Sequence, residues 1–474
     1  MPATNATRHR QSGAALLLIM LAVIVATLAV LLVNLNRNDL RTRQLEKTQA
    51  MLADAREALL DFAVTHPDRD PGAAFSLPCP DIDASGGFAD GVSHTTACMA
   101  AGVSVIGRLP WRTLGVPALK DSSSACLWYA VSGSYKDAGA DTAALINVDS
   151  NGQLQLYEIE SATISEGSAA ENRPIAMVIA AMKPLATQSR PGIAPGSDCV
   201  AGASAANYLD TDAGSGISNA VLGGAADALD VLGRVAGSRE DHNDRIVTIS
   251  RADLEQRVTA RADFLTDMRS LGLAAAACIA NYGASNPGGV NDKRLPWPAA
   301  VTLADYRPDA SYNDADNGFY SGRLADIADD SNLVTGNSIA RVLSDCDTGA
   351  VPQWTATQMA RWQDWKDHFF YAVGEAFSPN AAIPSACGNC LSINGSGQYA
   401  AVLLFANSRL AAQQRNAPPT DVDTKRDPNN YLEGLNAANI PGAAVAADYQ
   451  SGTVSAAFND LVFCLDEQLL VSEC

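Results

Sequence analysis

Basic residues are scarce in this sequence. Its 474 residues include 33 Lys and Arg against 52 Asp and Glu, which gives a formal net charge of −19. Because phosphate backbones are bound by clustered Lys and Arg, this balance argues against nucleic acid as a partner. Charged residues make up 18% of the chain and apolar residues 47%, which is typical of a globular protein long enough for two or three domains.

The sequence also lacks the motifs of the common enzyme classes. Its five histidines are scattered, and no His-Glu-x-x-His, Gly-x-Ser-x-Gly, P-loop or dinucleotide-binding pattern occurs. We therefore assign no catalytic residue and predict a non-enzymatic protein. His242 and His368 are interpreted as surface or packing residues and not as catalytic bases.

One long apolar run is present near the N-terminus. From Ala14 to Val33, twenty consecutive residues contain no charged residue, Gly or Pro. A helix of that length covers about 30 Å, so the run predicts a transmembrane helix. No helix breaker follows before His66-Pro67, and the helix is predicted to continue to Thr65. Its second part is amphipathic, with an apolar stripe through Leu45, Thr48, Leu52, Ala55, Leu59 and Phe62.

The word Arg10-Gln11-Ser12-Gly13 stands directly before this run. A short basic leader that ends in Gly, followed by a helix that is first apolar and then amphipathic, resembles the N-terminus of type IV pilins and type II secretion pseudopilins. The resemblance implies that prepilin peptidase cuts between Gly13 and Ala14 and that the new N-terminus is methylated. An uncleaved signal anchor is the alternative interpretation.

Leu18 occupies the fifth position of the implied mature chain, where major pilins carry Glu. The absence of this Glu removes a buried carboxylate, which in major pilins helps to set the register between subunits. Within the family, this departure implies a minor subunit such as the K-type pseudopilin at the tip. The implied partners are other pilin or pseudopilin subunits, prepilin peptidase, an inner-membrane assembly platform and membrane lipid. The implied location is the bacterial inner membrane, as a single-pass protein whose globular part is periplasmic or extracellular at the filament tip.

Ten cysteines, an even number, all follow the apolar run. They predict five disulfides in an oxidising compartment. Cys387 and Cys390 are expected to form a local structural disulfide, since neither a redox nor a zinc context surrounds them, and Cys464 and Cys474 to fix the C-terminal tail. Spacing leaves open the pairing of the others, which are Cys79, Cys98, Cys126, Cys199, Cys278 and Cys346.

Short sequence words recur in the same order in the two halves of the chain. Five such echoes in one order indicate an internal duplication. The pairs are Leu77-Pro78-Cys79-Pro80 with Leu295-Pro296-Trp297-Pro298, Gly107-Arg108-Leu109 with Gly322-Arg323-Leu324, Trp128-Tyr129-Ala130-Val131 with Phe370-Tyr371-Ala372-Val373, Asn207-Tyr208-Leu209-Asp210 with Asn430-Tyr431-Leu432-Glu433, and Asn243-Asp244-Arg245-Ile246 with Asn459-Asp460-Leu461-Val462.

The duplication predicts an α+β fold with a long N-terminal transmembrane and amphipathic helix, followed by two tandem pilin-like domains, each a helix plus an antiparallel sheet. Ser250 is expected to cap a helix that runs to about Ala280 and opens the second copy. A single irregular α+β domain is the alternative. The predicted division is a leader at 1–13, the helix at 14–65 with its membrane span at 14–33, a first domain at 66–250 and a second at 251–474.

Two further words resemble those of a group of large bacterial pilin-like proteins. That group carries Leu-Pro-Cys-Pro-Asp and then Leu-Pro-Trp-x-x-Leu-Gly, which stand here at Leu77–Asp81 and Leu109–Gly115. The combined resemblance implies a non-enzymatic minor subunit at the tip of a type IV pilus or type II secretion pseudopilus, or in the initiation of its assembly. A signal-anchored periplasmic adhesin, ligand-binding module or enzyme is the alternative.

One loop has a spacing suited to a hard cation. Asp81, Asp83, Ser85 and Asp90 place oxygen-bearing side chains at alternating positions, which is compatible with a calcium loop, although the bidentate Glu of an EF-hand is missing. A solvated turn built from Asp and Gly residues is the alternative interpretation. Calcium is thus the one cofactor for which the sequence offers a candidate site.

Overall fold

The computed structural model gives the fold of most of the chain. It describes residues 12–66, 76–82, 89–94, 98, 102–136, 145–193, 197–199, 203–222, 228–233, 241–285, 293–328, 340–344, 346, 354–381, 387–415, 422–443 and 446–474. The helices of these residues are α1 (Ser12–Thr65), α2 (Arg251–Thr259), α3 (Phe264–Ala284), α4 (Ala356–Trp365), α5 (Val422–Lys425) and α6 (Gly434–Ala438).

The strands divide between the two halves of the chain, which meet at Ser250. In the first half they are β1 (Val105–Arg108), β2 (Trp128–Val131), β3 (Leu154–Glu158), β4 (Thr163–Glu166), β5 (Ala176–Ala180), β6 (Thr211–Asp212), β7 (Ile217–Ser218), β8 (Leu229–Leu232) and β9 (Arg245–Ile249). In the second half they are β10 (Ser321–Arg323), β11 (Ile327–Ala328), β12 (Ala340–Arg341), β13 (Phe369–Val373), β14 (Leu391–Ile393), β15 (Ser396–Phe405), β16 (Asp448–Tyr449), β17 (Leu461–Asp466) and β18 (Val471–Glu473).

The predicted α+β class, with one antiparallel sheet in each half, is wrong. The fold is mixed α/β with several sheets, in which β3 pairs with β8 and β14 with β16 in parallel. Parallel neighbours need a long crossover connection. The chain between β3 and β8, residues 159–228, and that between β14 and β16, residues 394–447, supply these connections. Local sequence patterns do not reveal pairing across such distances.

The membrane span predicted over Ala14–Val33 is also wrong, and so is the single-pass location in the bacterial inner membrane. Among the residues whose placement the structure describes, no helix combines the length and the apolar composition that crossing a bilayer requires. The described apolar side chains at the start of α1 form the stretch Leu17–Leu28.

The second part of α1 packs as its amphipathic pattern predicts. Leu52, Ala55 and Leu59 are buried, and Thr48 is buried at the edge of the same stripe. This stripe lies on β5 and β9. The three- and four-residue spacing of the apolar positions therefore sets which face of α1 covers the first sheet.

The capping predicted at Ser250 is confirmed, but the helix after it is broken. The Ser250 side chain accepts a hydrogen bond from the Asp253 backbone amide, and the Asp253 carboxylate accepts one from the Ser250 amide. The single helix expected from Arg251 to Ala280 is instead α2 and α3. At the break, the Arg261 guanidinium donates to the Val64 carbonyl near the end of α1. The interruption thus ties the second half to the first helix.

The two halves place their recurring words at the same positions of two similar sheets. The first sheet has the order β1-β2-β5-β9. The second sheet has seven strands, which include the corresponding order β10-β13-β15-β17; β14 and β16 continue from β15, and β18 pairs with β17. Gly107 lies opposite Tyr129 in the first sheet, and Gly322 lies opposite Tyr371 in the second. The strand order and this register are therefore the same in the two halves.

Both faces of the first sheet are buried. Side chains alternate along each strand, so that Tyr129 and Val178 face the core that contains α1. Trp128 and Ile179 face the opposite way and pack with Leu154 of β3 and residues of β8. The sheet is thus the middle of three layers.

The second sheet repeats this arrangement. Tyr371 and Leu403 belong to the same continuous core as α1 and α3, whereas Phe370 and Leu404 pack with β14, β16 and the segment around Tyr431. Since one core contains residues of both halves, the halves are not separated by solvent. The domain boundaries proposed from the sequence stay predictions.

Five disulfides join all ten cysteines, as predicted. Cys387 pairs with Cys390 and Cys464 with Cys474, which confirms the two local pairs expected from the sequence. The remaining pairs, which spacing alone leaves open, are Cys79–Cys98, Cys126–Cys199 and Cys278–Cys346. Each of these stays within its own half of the chain.

Gly322 offers a direct test of the sheet packing. A Cβ added at Gly322 would lie 2.2 Å from the carbonyl oxygen of Ala299, a backbone atom that cannot move independently. We expect Gly322→Ala to lower the free energy of unfolding by about 1–3 kcal/mol, the usual cost of overpacking. Gly388→Ala is the matched control, because its Cβ would meet no heavy atom within 4 Å. Equal midpoints for the two variants in urea denaturation would contradict the close approach.

Candidate functional site

The residues predicted to direct processing and assembly lie at the start of α1. Gly13 and Ala14 are helical in the structure, and Leu18 is exposed. Leu18 presents an apolar side chain where the resemblance places Glu. The structure therefore puts the position of the missing carboxylate on an accessible part of α1.

Two carboxylates of the loop considered for calcium form ion pairs with an arginine. The Asp81 and Asp90 carboxylates lie 3.4 and 3.3 Å from the Arg108 guanidinium, and Asp81 also accepts a hydrogen bond from the Gly91 amide. Asp83 and Ser85 lie outside the described residues. No group of three or more His, Cys, Asp or Glu residues in the described ranges is arranged to hold a metal ion. The calcium loop stays a prediction, and two of its four ligands have a protein partner.

A cavity opens beside Arg108 on the outer face of the first sheet. Its volume is about 260 Å³, and its walls include Arg108, Cys126, Trp128, Arg190, Ile193 and Tyr208. The sheet positions two of these side chains, since Arg108 ends β1 directly opposite Trp128, the first residue of β2. The Cys126–Cys199 disulfide forms part of the rim. The cavity thus combines aromatic surface with two guanidinium groups.

Arg190 is held by backbone carbonyls. Its Nε donates to the Asn207 carbonyl at 3.2 Å, its Nη2 donates to the carbonyls of Ala181 and Tyr208, and its Nη1 donates to the Met182 carbonyl. The guanidinium lies 4.8 Å from the centre of the Tyr208 ring. Partial burial lowers the pKa of Arg190 from its ordinary value, although nearby carboxylates oppose that shift. The side chain is therefore rigidly placed and partly desolvated.

The second half contains the same arginine centre. Arg415 Nη1 donates to the Asn407 carbonyl at 2.6 Å, and Nη2 donates to the Tyr431 carbonyl at 2.9 Å. Its guanidinium lies 5.0 Å from the centre of the Tyr431 ring. In both halves a glutamine two residues earlier, Gln188 or Gln413, accepts a further hydrogen bond from Nη2. Arg415 Nε donates to the Asn430 carbonyl, as Arg190 Nε does to Asn207, so the two arginines share most of their hydrogen bonds.

The centre at Arg415 is filled by charged side chains. The Asp149 carboxylate, which comes from the first half, lies 3.0 Å from His368 Nε2 and 3.6 Å from Arg415 Nη1. Lys425 Nζ lies 2.9 Å from the Asp367 carboxylate. All of these side chains are buried. The cluster therefore joins the two halves of the chain through paired charges.

The electrostatics of this cluster follow from the pairing. Burial alone would raise the pKa of Asp149, but the charges of Arg415 and His368 outweigh it and hold that pKa well below its ordinary value. Burial similarly opposes the charge of Asp367, whose pKa is nevertheless lowered by Lys425. Lys425 has its pKa raised because Asp367 outweighs the desolvation of the ammonium group. Burial would therefore disfavour the charged form of each of these groups if its partner were removed.

A pair of acidic residues supports each centre from the side. In the first half, the Asp210 carboxylate accepts from the amides of Asn243 and Asp244, while Asp244 accepts from the Asp210 amide. Glu433 and Asp460 repeat this exchange in the second half. Burial, together with the neighbouring carboxylate, raises the pKa of Asp244 and of Asp460. These exchanges fix the segments that carry Tyr208 and Tyr431.

Sequence reasoning missed both arginine centres. The signal was present, because Gln188-Ser189-Arg190 and Gln413-Gln414-Arg415 are one more recurring word, Gln-x-Arg, before each Asn-Tyr-Leu word. Asp149 and Lys425 had no such signal. The interpretation of His368 as a packing residue is partly correct, since it is buried, but it also belongs to a charge cluster.

Comparison with known proteins identifies no relative. No protein-family model matches the chain, and neither a curated protein nor a solved structure shows significant similarity to it. The pilin resemblance therefore rests on the sequence words alone.

The buried cluster predicts a large effect for Asp149→Asn. Removing one charge leaves Arg415 and His368 without their carboxylate, so we expect the free energy of unfolding at pH 7 to fall by about 3–5 kcal/mol. Asp39→Asn is the control, because Asp39 pairs with Arg43 on the surface of α1, where such a pair contributes at most about 1 kcal/mol. Chemical denaturation of both variants measures the difference.

The same variant predicts a change in pH dependence. The pKa of Asp149 is lower in the folded than in the unfolded protein, so its contribution is present above the unfolded value of about 3.9 and is lost as the pH falls further. Asp149→Asn should therefore show a weaker loss of stability in acid than the wild type. Parallel stability curves for the two proteins between pH 7 and pH 2 would contradict the pairing.

Proposed function

We propose that this chain is a non-enzymatic, pilin-like minor subunit that assembles with other subunits through the first part of α1. One observation carries the proposal: α1 is a single helix of 54 residues whose second part is packed in the core, whereas the described side chains from Leu17 to Leu28 are exposed and form its bare part. Its second part contributes Leu52, Ala55 and Leu59 to the core. Its first part exposes a run of large apolar side chains between Leu17 and Leu28.

The bare part of α1 is apolar on every side. The five consecutive residues from Leu17 to Leu21 are each more than half exposed. Five consecutive positions cover the full circumference of a helix. A helix that is apolar all round is normally buried in its working state. We therefore infer that another molecule covers this part of α1.

The cover that fits this surface is the equivalent helix of neighbouring subunits. Helices without charged side chains pack closely along their length, and the described stretch Leu17–Leu28 contains none. The leader word Arg10-Gln11-Ser12-Gly13 supports the same assignment through its resemblance to prepilins. Leu18 removes the carboxylate of the major subunits, and two sheets in one chain make a bulky head. Both features favour a position at the tip or in the initiation of assembly.

The five disulfides are compatible with this role, since such bonds form and persist in oxidising environments. A second candidate function, a ligand-binding or adhesin module, is favoured by the cavity at Arg190. The two functions are compatible, because the cavity lies on the first sheet and the bare helix begins well before the residues that pack on that sheet.

Processing gives the first test of the proposal. Coexpression with an active prepilin peptidase should yield a mature chain that begins at Ala14 and carries one N-terminal methyl group, as measured by intact mass and peptide sequencing. Gly13→Val should block this cleavage, whereas Ser12→Ala should not. Retention of residues 1–13 in the wild-type chain would exclude the assembly model.

Association through α1 gives the second test. Leu21→Asp combined with Val25→Asp places two charges on the bare surface, and we expect at least a tenfold weaker self-association or co-assembly of the mature chain in sedimentation experiments. Leu40→Asp is the matched control, because Leu40 is equally exposed on α1 but lies outside the apolar stretch. Unchanged association of the double variant would show that this surface is not the interface.

A further inference from the structure

The two arginine centres differ in one respect that points to a ligand. At Arg415, the guanidinium atom Nη1 donates to a backbone carbonyl and also faces the Asp149 carboxylate. At Arg190, the equivalent Nη1 donates to the equivalent carbonyl of Met182 and has no carboxylate within 4.0 Å among the described residues. The second N–H of Arg190 Nη1 therefore lacks the anionic partner that its counterpart has.

The cavity lies where that missing carboxylate would be. In the second half, Asp149 sits between Arg415 and His368. The register of the sheets makes Trp128 equivalent to Phe370, so Cys126, two residues earlier, is equivalent to His368. Both Arg190 and Cys126 line the cavity. The space between them is thus the counterpart of the space that Asp149 occupies.

We propose that the cavity at Arg190 binds a carboxylate, in the place that the chain itself fills with Asp149 at Arg415. The chemistry is that of a charge-assisted hydrogen bond from a fixed, partly desolvated guanidinium, with the Tyr208 ring beside it and Trp128 in the cavity wall. Cys126 stands in the place of His368 and is held in a disulfide. Arg108, the other guanidinium in the cavity wall, is already paired with Asp81 and Asp90, so Arg190 is the cation that the site offers to a carboxylate.

An acidic side chain presented on a protein loop is the source of this carboxylate that the structure favours. At Arg415 the carboxylate arrives on such a loop, from a different part of the chain. The loop is held because the Ile146 backbone amide donates to the Asp364 carboxylate and the Asn147 side-chain amide donates to the Asp364 carbonyl. A cavity of about 260 Å³ accommodates a side chain and leaves its backbone at the mouth. A free small carboxylate would bind through the same chemistry, and the experiment below distinguishes it from a carboxylate on a loop.

Binding to the full-length protein tests the proposal directly. The probes are the capped peptide Val-Asp-Ser, which copies residues 148–150, its Val-Asn-Ser counterpart, and succinate as a free carboxylate, each followed by isothermal titration calorimetry. We expect the Asp peptide to bind at least tenfold more tightly than the Asn peptide. Binding of succinate without the Asp peptide would support the carboxylate site but overturn the loop as its source. Binding of neither at millimolar concentration would overturn the proposal.

A substitution at the mouth locates the binding. Ile193 lines the cavity and is 41% exposed, so a polar residue there does not disturb the core. Ile193→Glu places a competing carboxylate beside Arg190, and we expect at least a tenfold loss of affinity for the Asp peptide. Ile193→Gln, similar in size but uncharged, should bind as the wild type does. Equal affinities of the Glu and Gln variants would place the peptide elsewhere and overturn the assignment, provided that both variants unfold at the wild-type midpoint.

Discussion

The structure depends on the burial of both faces of two similar sheets. Each sheet is covered on one side by a helix, α1 or α3. On the other side the first sheet packs against the separate strands β3 and β8, and the second against residues of β14 and β16, which belong to the same sheet through β15. Alternation along the strands directs Tyr129 and Tyr371 to the helices, and Trp128 and Phe370 to the outer layers. The inner faces of both sheets contribute to one core, which holds the two halves together. The outer layers, which contain the arginine centres, are fixed to this core.

The outer layers show how one scaffold produces two different electrostatic environments. Arg190 and Arg415 are held by equivalent backbone carbonyls and lie over equivalent rings, those of Tyr208 and Tyr431. At Arg415 the first half supplies Asp149, and the charge pair becomes a buried joint between the halves. At Arg190 no part of the described chain plays this role, and a cavity remains. The difference between a structural ion pair and a candidate binding site is therefore the presence of a single loop.

The helix α1 connects this scaffold to the proposed assembly. Its packed part covers the first sheet, whereas its bare part is the N-terminal continuation of the same helix. A continuous helix transmits position, so subunits that pack through the bare part would hold their sheets at a defined spacing. The cavity at Arg190 is on the face of the first sheet opposite α1.

The sequence by itself determined the features that depend on local patterns. The amphipathic stripe through Leu52 and Leu59, the Ser250 cap and the two local disulfides follow from spacing within a few turns of chain, and the recurring words mark positions that share a sheet register. Only the tertiary structure decided the parallel strand pairs, the break between α2 and α3, and the insertion of Asp149 beside Arg415. Those depend on contacts between residues far apart in the chain, whose energies no local pattern encodes.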